Sequence, residues 1–134
     1  MNYYVYYDDT GRIFQLINIE NYNENPNYIN IGPAPIDITK FYVKNNQLIE
    51  LPPKPDSGYW MFDYNNEKWV VDTMLTKLDV LNRRSELLKD SDWTQLPDVP
   101  QPTKDAWASY RQQLRDITTQ AGYPVNVVWP TPPQ

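Results

Sequence analysis

Any chemistry in this 134-residue chain has to be done without histidine or cysteine, since it contains neither. That removes the usual metal ligand, the usual general base at neutral pH, thiol nucleophiles and disulfides. Carboxylates remain. Asp8-Asp9 and the Asp90, Asp92 pair sit in turn-forming stretches, where adjacent acids serve as solvated turn residues or helix caps rather than as an acid/base pair. No G-x-S-x-G, H-E-x-x-H, Walker loop or G-x-G-x-x-G is present, and four glycines cannot build a phosphate cradle. The expectation is a protein that is no enzyme, with no catalytic, cofactor-binding or metal-binding residue. The groups with a specific physical use are Arg84, Arg111 and Arg115 against Asp92 and Asp98. A guanidinium forked onto a loop carboxylate would clamp the loop to its helices. Trp93 and Trp107 would be the buried apolar filling of that junction, with Asp92, Thr94 and Asp98 supplying turn oxygens.

Two helices must hold this loop. From Thr73 the period becomes helical: Met74, Leu78, Leu81 and Leu88 recur at spacings of three, four and seven, with Thr73 as the expected N-cap. The second helix follows Pro100-Gln101-Pro102, with Thr103 as N-cap and Asp105 in the first turn. Its apolar line is Trp107, Tyr110, Leu114 and Ile117. Gly122 is expected to end it, and Pro124 forbids a restart. Val125 to Val128 reads as a short strand, and Trp129-Pro130-Thr131-Pro132-Pro133 as a stiff, extended tail. A terminal tail is loose unless docked, so Trp129 either returns to Trp107 and Tyr110 or is held by a partner.

Before residue 73 the chain writes aromatic strand, polar turn, apolar strand three times. Tyr3 to Tyr7 and Arg12 to Ile17 flank Asp8-Asp9-Thr10-Gly11, where Gly11 suits a positive φ. Phe41-Tyr42-Val43 and Leu48 to Leu51 flank Lys44-Asn45-Asn46-Gln47. Tyr59 to Asp63 and Lys68 to Val71 flank Tyr64-Asn65-Asn66-Glu67. Asn21 to Asn27 reads as a solvated loop, Tyr28 to Ile31 as a short strand closed by Gly32-Pro33, and Pro52-Pro53-Lys54-Pro55 as a connector. The fold class is α+β: an antiparallel β-hairpin or meander sheet, then a helical hairpin. The expected domains are an aromatic-rich hairpin domain over 1–72 and a helical-hairpin module over 73–134.

The formal charge of −5 argues against a nucleic-acid partner. The N-terminus lacks the pattern of a signal peptide, and no apolar run approaches a membrane span, so a cytoplasmic protein with no membrane partner is expected. Eleven Tyr, five Trp and three Phe are more rings than one small core obviously requires. Tyr and Trp suit lasting interfaces, and rows of exposed rings would also suit a glycan.

Arg84-x-x-Leu87-Leu88, then Asp92-Trp93-Thr94-Gln95, then Trp107-x-x-Tyr110-Arg111-x-x-Leu114-Arg115, then Trp129-Pro130 resembles the C-terminal module of bacteriophage tail assembly chaperone proteins. The four pieces stand in the right order over residues 80 to about 132. The resemblance implies a tail or tail-fibre assembly protein of the host cytoplasm that acts by binding a tail component, without a cofactor. Its candidate contacts are Arg84, Asp92, Trp93, Trp107, Tyr110, Arg111, Arg115 and Trp129. A tail, baseplate or fibre-adaptor subunit that stays in the particle is the competing class, and a glycan-binding receptor module the third.

Overall fold

The computed structural model describes residues 1–20, 22 and 25–134, so part of the expected asparagine-rich loop (Asn21, Asn23 and Glu24) lies outside the described residues. The chain forms two compact units. One comprises residues 1–56 and 60–70, the other residues 57–59 and 71–134.

In the first unit β1 (Asn2–Tyr7) lies between β2 (Ile13–Ile19) and β3 (Tyr28–Gly32) in an antiparallel sheet. Period-two alternation sends Val5 inward with its cross-strand partners Leu16 and Ile29, and Tyr4 and Tyr6 to the opposite face. Val5, Ile13 and Val43 are the buried centre, with Tyr7, Ile31, Ile36 and Leu48 among the side chains packed around them. The first turn is fixed by Asp8, whose Oδ1 accepts the Thr10 and Arg12 backbone N–H groups at 2.9 and 3.1 Å. Gly11 has φ +96°, and its carbonyl accepts the Val43 N–H at 2.8 Å. A β-carbon there would stand 2.1 Å from the Val43 carbonyl oxygen, so this turn also ties the first sheet to the second hairpin.

That hairpin pairs β4 (Phe41–Lys44) with β5 (Gln47–Glu50). Asn45 and Asn46 both take positive φ, as a two-residue hairpin turn requires. A third hairpin joins β6 (Trp60–Asp63) to β7 (Lys68–Val71). Among the described residues the strands therefore make three separate sheets, one of three strands and two of two, instead of one continuous meander. The strand after the asparagine-rich loop returns to the free edge of β1, which takes β1 out of reach of later hairpins.

Tyr42, Phe62, Tyr64 and Trp69 form a ring cluster between the later hairpins, with Phe62 5.2, 5.1 and 5.3 Å from the other three. The Trp69 indole donates to the Pro52 carbonyl at 2.8 Å, which anchors the proline connector. Glu67 accepts from the Tyr42 hydroxyl at 2.8 Å and pairs with Lys44 at 2.8 Å. The Lys44 ammonium, and then the Tyr42 hydroxyl, hold the Glu67 carboxyl below its ordinary range. The Thr39 hydroxyl does the same for Asp37, and the Asn66 side-chain amide for Asp63. A carboxylate whose folded pKa is depressed stabilises the fold above its unfolded value, and that stability is lost as pH falls through the folded value. Thermal stability should therefore decline below about pH 4.5, the ordinary carboxylate range. Glu67→Gln should flatten that acid limb in thermal melts from pH 7 to 3. A variant with an acid limb as steep as the parent's would remove Glu67 from the account.

In the second unit α1 runs from Thr73 to Asp90 and α2 from Gln101 to Arg115. Both caps differ from the sequence expectation. Asp72, not Thr73, is the N-cap of α1, its extended backbone placing Oδ1 3.1 Å from the Leu75 N–H. The second helix starts before Thr103 because Pro102 falls in its first turn, where no N–H is needed. It ends at Arg115 and passes into a 3-10 turn, Asp116–Thr119, so Gly122 does not terminate it. Gly122 instead admits a close approach: its carbonyl accepts the Asn126 N–H at 2.7 Å, and a β-carbon would lie 2.2 Å from the Asn126 carbonyl oxygen. Val125 to Val128 form no strand.

Tyr110, Leu114 and Ile117 are buried and Trp107 half-buried, as the spacing predicts. On α1 the buried residue is Val80, with Leu81, Leu87 and Leu88 half-buried, while Met74 and Leu78 are exposed. The helices run antiparallel, Leu88 facing Arg111 and Arg84 facing Arg115. The first turns of α1 thus lie beyond the end of α2. Among the described residues no helix is long and apolar enough to cross a membrane.

Candidate partner-binding site

The junction between α1 and α2 is organised by Arg111. The face of α2 that buries Tyr110 and Leu114 also carries Arg111 inward, to 9% exposure. Its Nη1 donates to the Leu88 carbonyl at 2.6 Å and to the Ser91 hydroxyl at 2.7 Å, and its Nη2 to Asp92 Oδ1 at 2.8 Å. Ser91 Oγ donates in turn to the Leu87 carbonyl at 2.8 Å. The carbonyls at the negative end of α1 therefore meet a buried cation and a hydroxyl, as the helix end requires. The Arg111 Nε is buried with no hydrogen-bond partner among the described residues, so its desolvation offsets part of this gain.

The 3-10 turn Asp92–Gln95 then turns the chain toward α2. Thr94, fully buried, donates its hydroxyl to the Ser91 carbonyl at 2.6 Å. Gln95 donates to Thr94 Oγ1 at 3.1 Å and to the Lys104 carbonyl at 3.2 Å, tying the turn to the start of α2.

Trp93 is not the buried filling that the sequence suggests. It is 53% exposed, and the small Thr94 fills the junction. Neighbours in a tight turn cannot all face inward, and Arg111 already occupies the space beside Asp92. The Trp93 ring instead leans on Trp107 at 6.0 Å, and Trp107 meets Tyr110 edge-on at 5.5 Å. The three rings step from core to solvent, ending beside Leu96, which is 52% exposed. Trp93→Ala should accordingly cost only about 1 kcal/mol in chemical denaturation, the scale of an aromatic pair contact, and not the 3–5 kcal/mol of a buried ring. A loss in the upper range would mean that the ring is covered in solution.

The other arginines do not share the clamp. Arg84 donates at 3.4 Å to the Arg115 carbonyl, its buried Nε having no partner among the described residues, and Arg115 reaches Gln112 at 3.4 Å. Among the described residues the ion pair of the junction is Arg111 with Asp92 alone; Asp98 takes no part in it. The tail docks back, although not on Trp107 and Tyr110. Gln120 holds the Val128 backbone on both sides at 2.8 Å, and the Arg83 guanidinium lies 4.2 Å from the Trp129 ring centre. Gln120, Ser91 and Arg83 carried no signal in the sequence, because a single polar residue is read only through the neighbour that its fold supplies. Among the described residues no group of acidic side chains could hold a metal ion.

Part of this helical unit is similar to a known family. Residues 78–134 match the family model described as phage tail assembly chaperone protein, a span that takes in most of α1, the Arg111 junction, α2 and the docked tail. No curated protein and no solved structure matches the chain.

Proposed function

We propose that this chain assists bacteriophage tail assembly by binding a tail component, such as a tail-fibre protein, in the cytoplasm of the infected bacterium. The observation that carries the reading is the coincidence of the family match with the Arg111 junction, which holds Trp93 and Leu96 outward on a turn fixed by buried hydrogen bonds. Exposed Trp beside a half-buried Trp is what protein interfaces use as an anchor, because a rigid ring loses little entropy on binding. The client would offer an apolar or strand-edge surface that the finished tail later buries. Binding is the whole of the mechanism.

Co-expression with individual tail proteins tests this. A tail protein that is insoluble alone should become soluble and co-purify with the chain, and Trp93→Ala should weaken the capture while leaving the melting transition nearly in place. Tail proteins that behave identically with and without the chain would overturn the proposal. A second reading, a subunit that stays in the particle, is favoured by the further exposed apolar residues Met74, Leu75, Leu78 and Val128, which would suit a larger and permanent interface.

A further inference from the structure

The face of the three-stranded sheet that points away from Val5 carries rings and amides beside two isoleucines. Strand register places Tyr4 and Tyr6 of β1, Gln15, Ile17 and Ile19 of β2, and Tyr28 and Asn30 of β3 on it. The irregular register between Tyr6 and Tyr7 brings Phe14 alongside Tyr6. Starting from the β2 side, the rings of Phe14, Tyr6, Tyr28 and Tyr22 follow one another at centre spacings of 6.2, 5.0 and 5.8 Å, each tilted to the next. Tyr22 is fixed in place: it stacks on Tyr4 at 4.3 Å, and its hydroxyl both donates to the Asn25 carbonyl and accepts the Asn25 N–H, each at 2.7 Å. At that end of the row lies a pocket whose lining includes Tyr22, Tyr28 and the amide-bearing Asn25, Asn30 and Asn46.

Two further facts select an occupant. The first is charge. The unit has nine carboxylates against five basic residues, yet none of the residues that the register places on this face is charged. Arg12 touches the row only by lying 5.0 Å over the Phe14 ring. Apart from Arg12 at the Phe14 end, the described residues of the row offer no cation to a phosphate or a carboxylate, so the face suits an uncharged ligand. The second is hydrogen-bonding capacity. The Tyr6 and Tyr28 hydroxyls make no hydrogen bond among the described residues, and Gln15 carries an amide that both donates and accepts, while the Asn30 amide is engaged, donating to the Tyr4 hydroxyl at 3.5 Å and accepting the Gly32 N–H at 2.8 Å. A ligand that presents C–H groups to the negative ring faces and hydroxyls around its rim meets both conditions. The geometry points to a binding site for a neutral polysaccharide chain, its pyranose rings lying along Phe14, Tyr6, Tyr28 and Tyr22. Its hydroxyls would bond to Tyr6, Tyr28 and Gln15.

The site lies outside residues 78–134, so its test is independent of the assembly reading. The full chain would be screened on immobilised neutral polysaccharides (dextran, mannan, galactan) and anionic ones (alginate, polygalacturonate), with nitrogen-15 chemical-shift mapping of the best soluble oligosaccharide. Binding confined to neutral polymers is expected, with shifts centred on Tyr6, Tyr28 and Asn30. Tyr28→Ala should weaken it by about tenfold, on the scale of an aromatic contact. Should that variant unfold, Phe14→Ala, at an exposed ring, should still weaken binding while the melting transition stays in place. Binding to none of the neutral polymers, a preference for the anionic ones, or affinity unchanged in both variants would each overturn the proposal. So would loss of tail-protein capture in Phe14→Ala without any glycan binding, which would make the face a protein interface.

Discussion

Arg111→Ala should destabilise the helical unit by about 3 kcal/mol, read from chemical denaturation, because it removes a charge-assisted hydrogen-bond hub together with a buried aliphatic stem. The Leu88 carbonyl, the Ser91 hydroxyl and Asp92 all lose a donor at once. Asp92→Ala should cost far less, about 0.5–1 kcal/mol, because that carboxylate is 65% exposed and water screens the pair. The asymmetry is the signature of the arrangement: Arg111 secures the end of α1, and the ion pair is secondary. Arg111→Lys should recover less than half of the loss, since one ammonium cannot span three acceptors as a guanidinium fork does. Full recovery by lysine would mean that a point charge suffices and the fork is irrelevant.

Leu114→Ala should cost about 3 kcal/mol, within the range for emptying a fully buried leucine site. Leu114 has no solvent exposure, and it shares the buried face of α2 with Tyr110 and Arg111. Leu78→Ala on α1, at a residue 50% exposed, should change stability by no more than about 0.5 kcal/mol. Comparable losses at the two positions in thermal or chemical denaturation would show that the first turns of α1 are covered in solution.

The contrast between Leu114 and Leu78 also marks where the sequence could be read and where it could not. The Trp107, Tyr110, Leu114, Ile117 line was legible because a neighbour covers that face from Tyr110 onward, so pattern and burial coincide there. The Met74, Leu78 line was equally periodic, but periodicity says only that a face is apolar, not that a neighbour reaches it. The hairpins were legible from local chemistry: Asp8 with Gly11, and Asn45-Asn46, build their turns within a few residues. How hairpins group into sheets depends on long-range pairing, such as β3 with β1, which no local signal encodes. At the junction the Arg–Asp clamp followed from residue types, although which arginine, and which of Trp93 and Thr94 faces inward, were decided by helix phase. The Trp129 tail was expected to need an anchor, and it has one. Its anchors, Gln120 and Arg83, are ordinary surface residue types whose role exists only in three dimensions.

Mass spectrometry of salt-washed phage particles, set beside the infected-cell lysate, tests the assembly account most directly. A chain that binds a tail component only until assembly buries the bound surface should be abundant in the lysate and absent from the washed particles. A signal in stoichiometric ratio to a tail protein in those particles would contradict transient binding and make the chain a structural subunit.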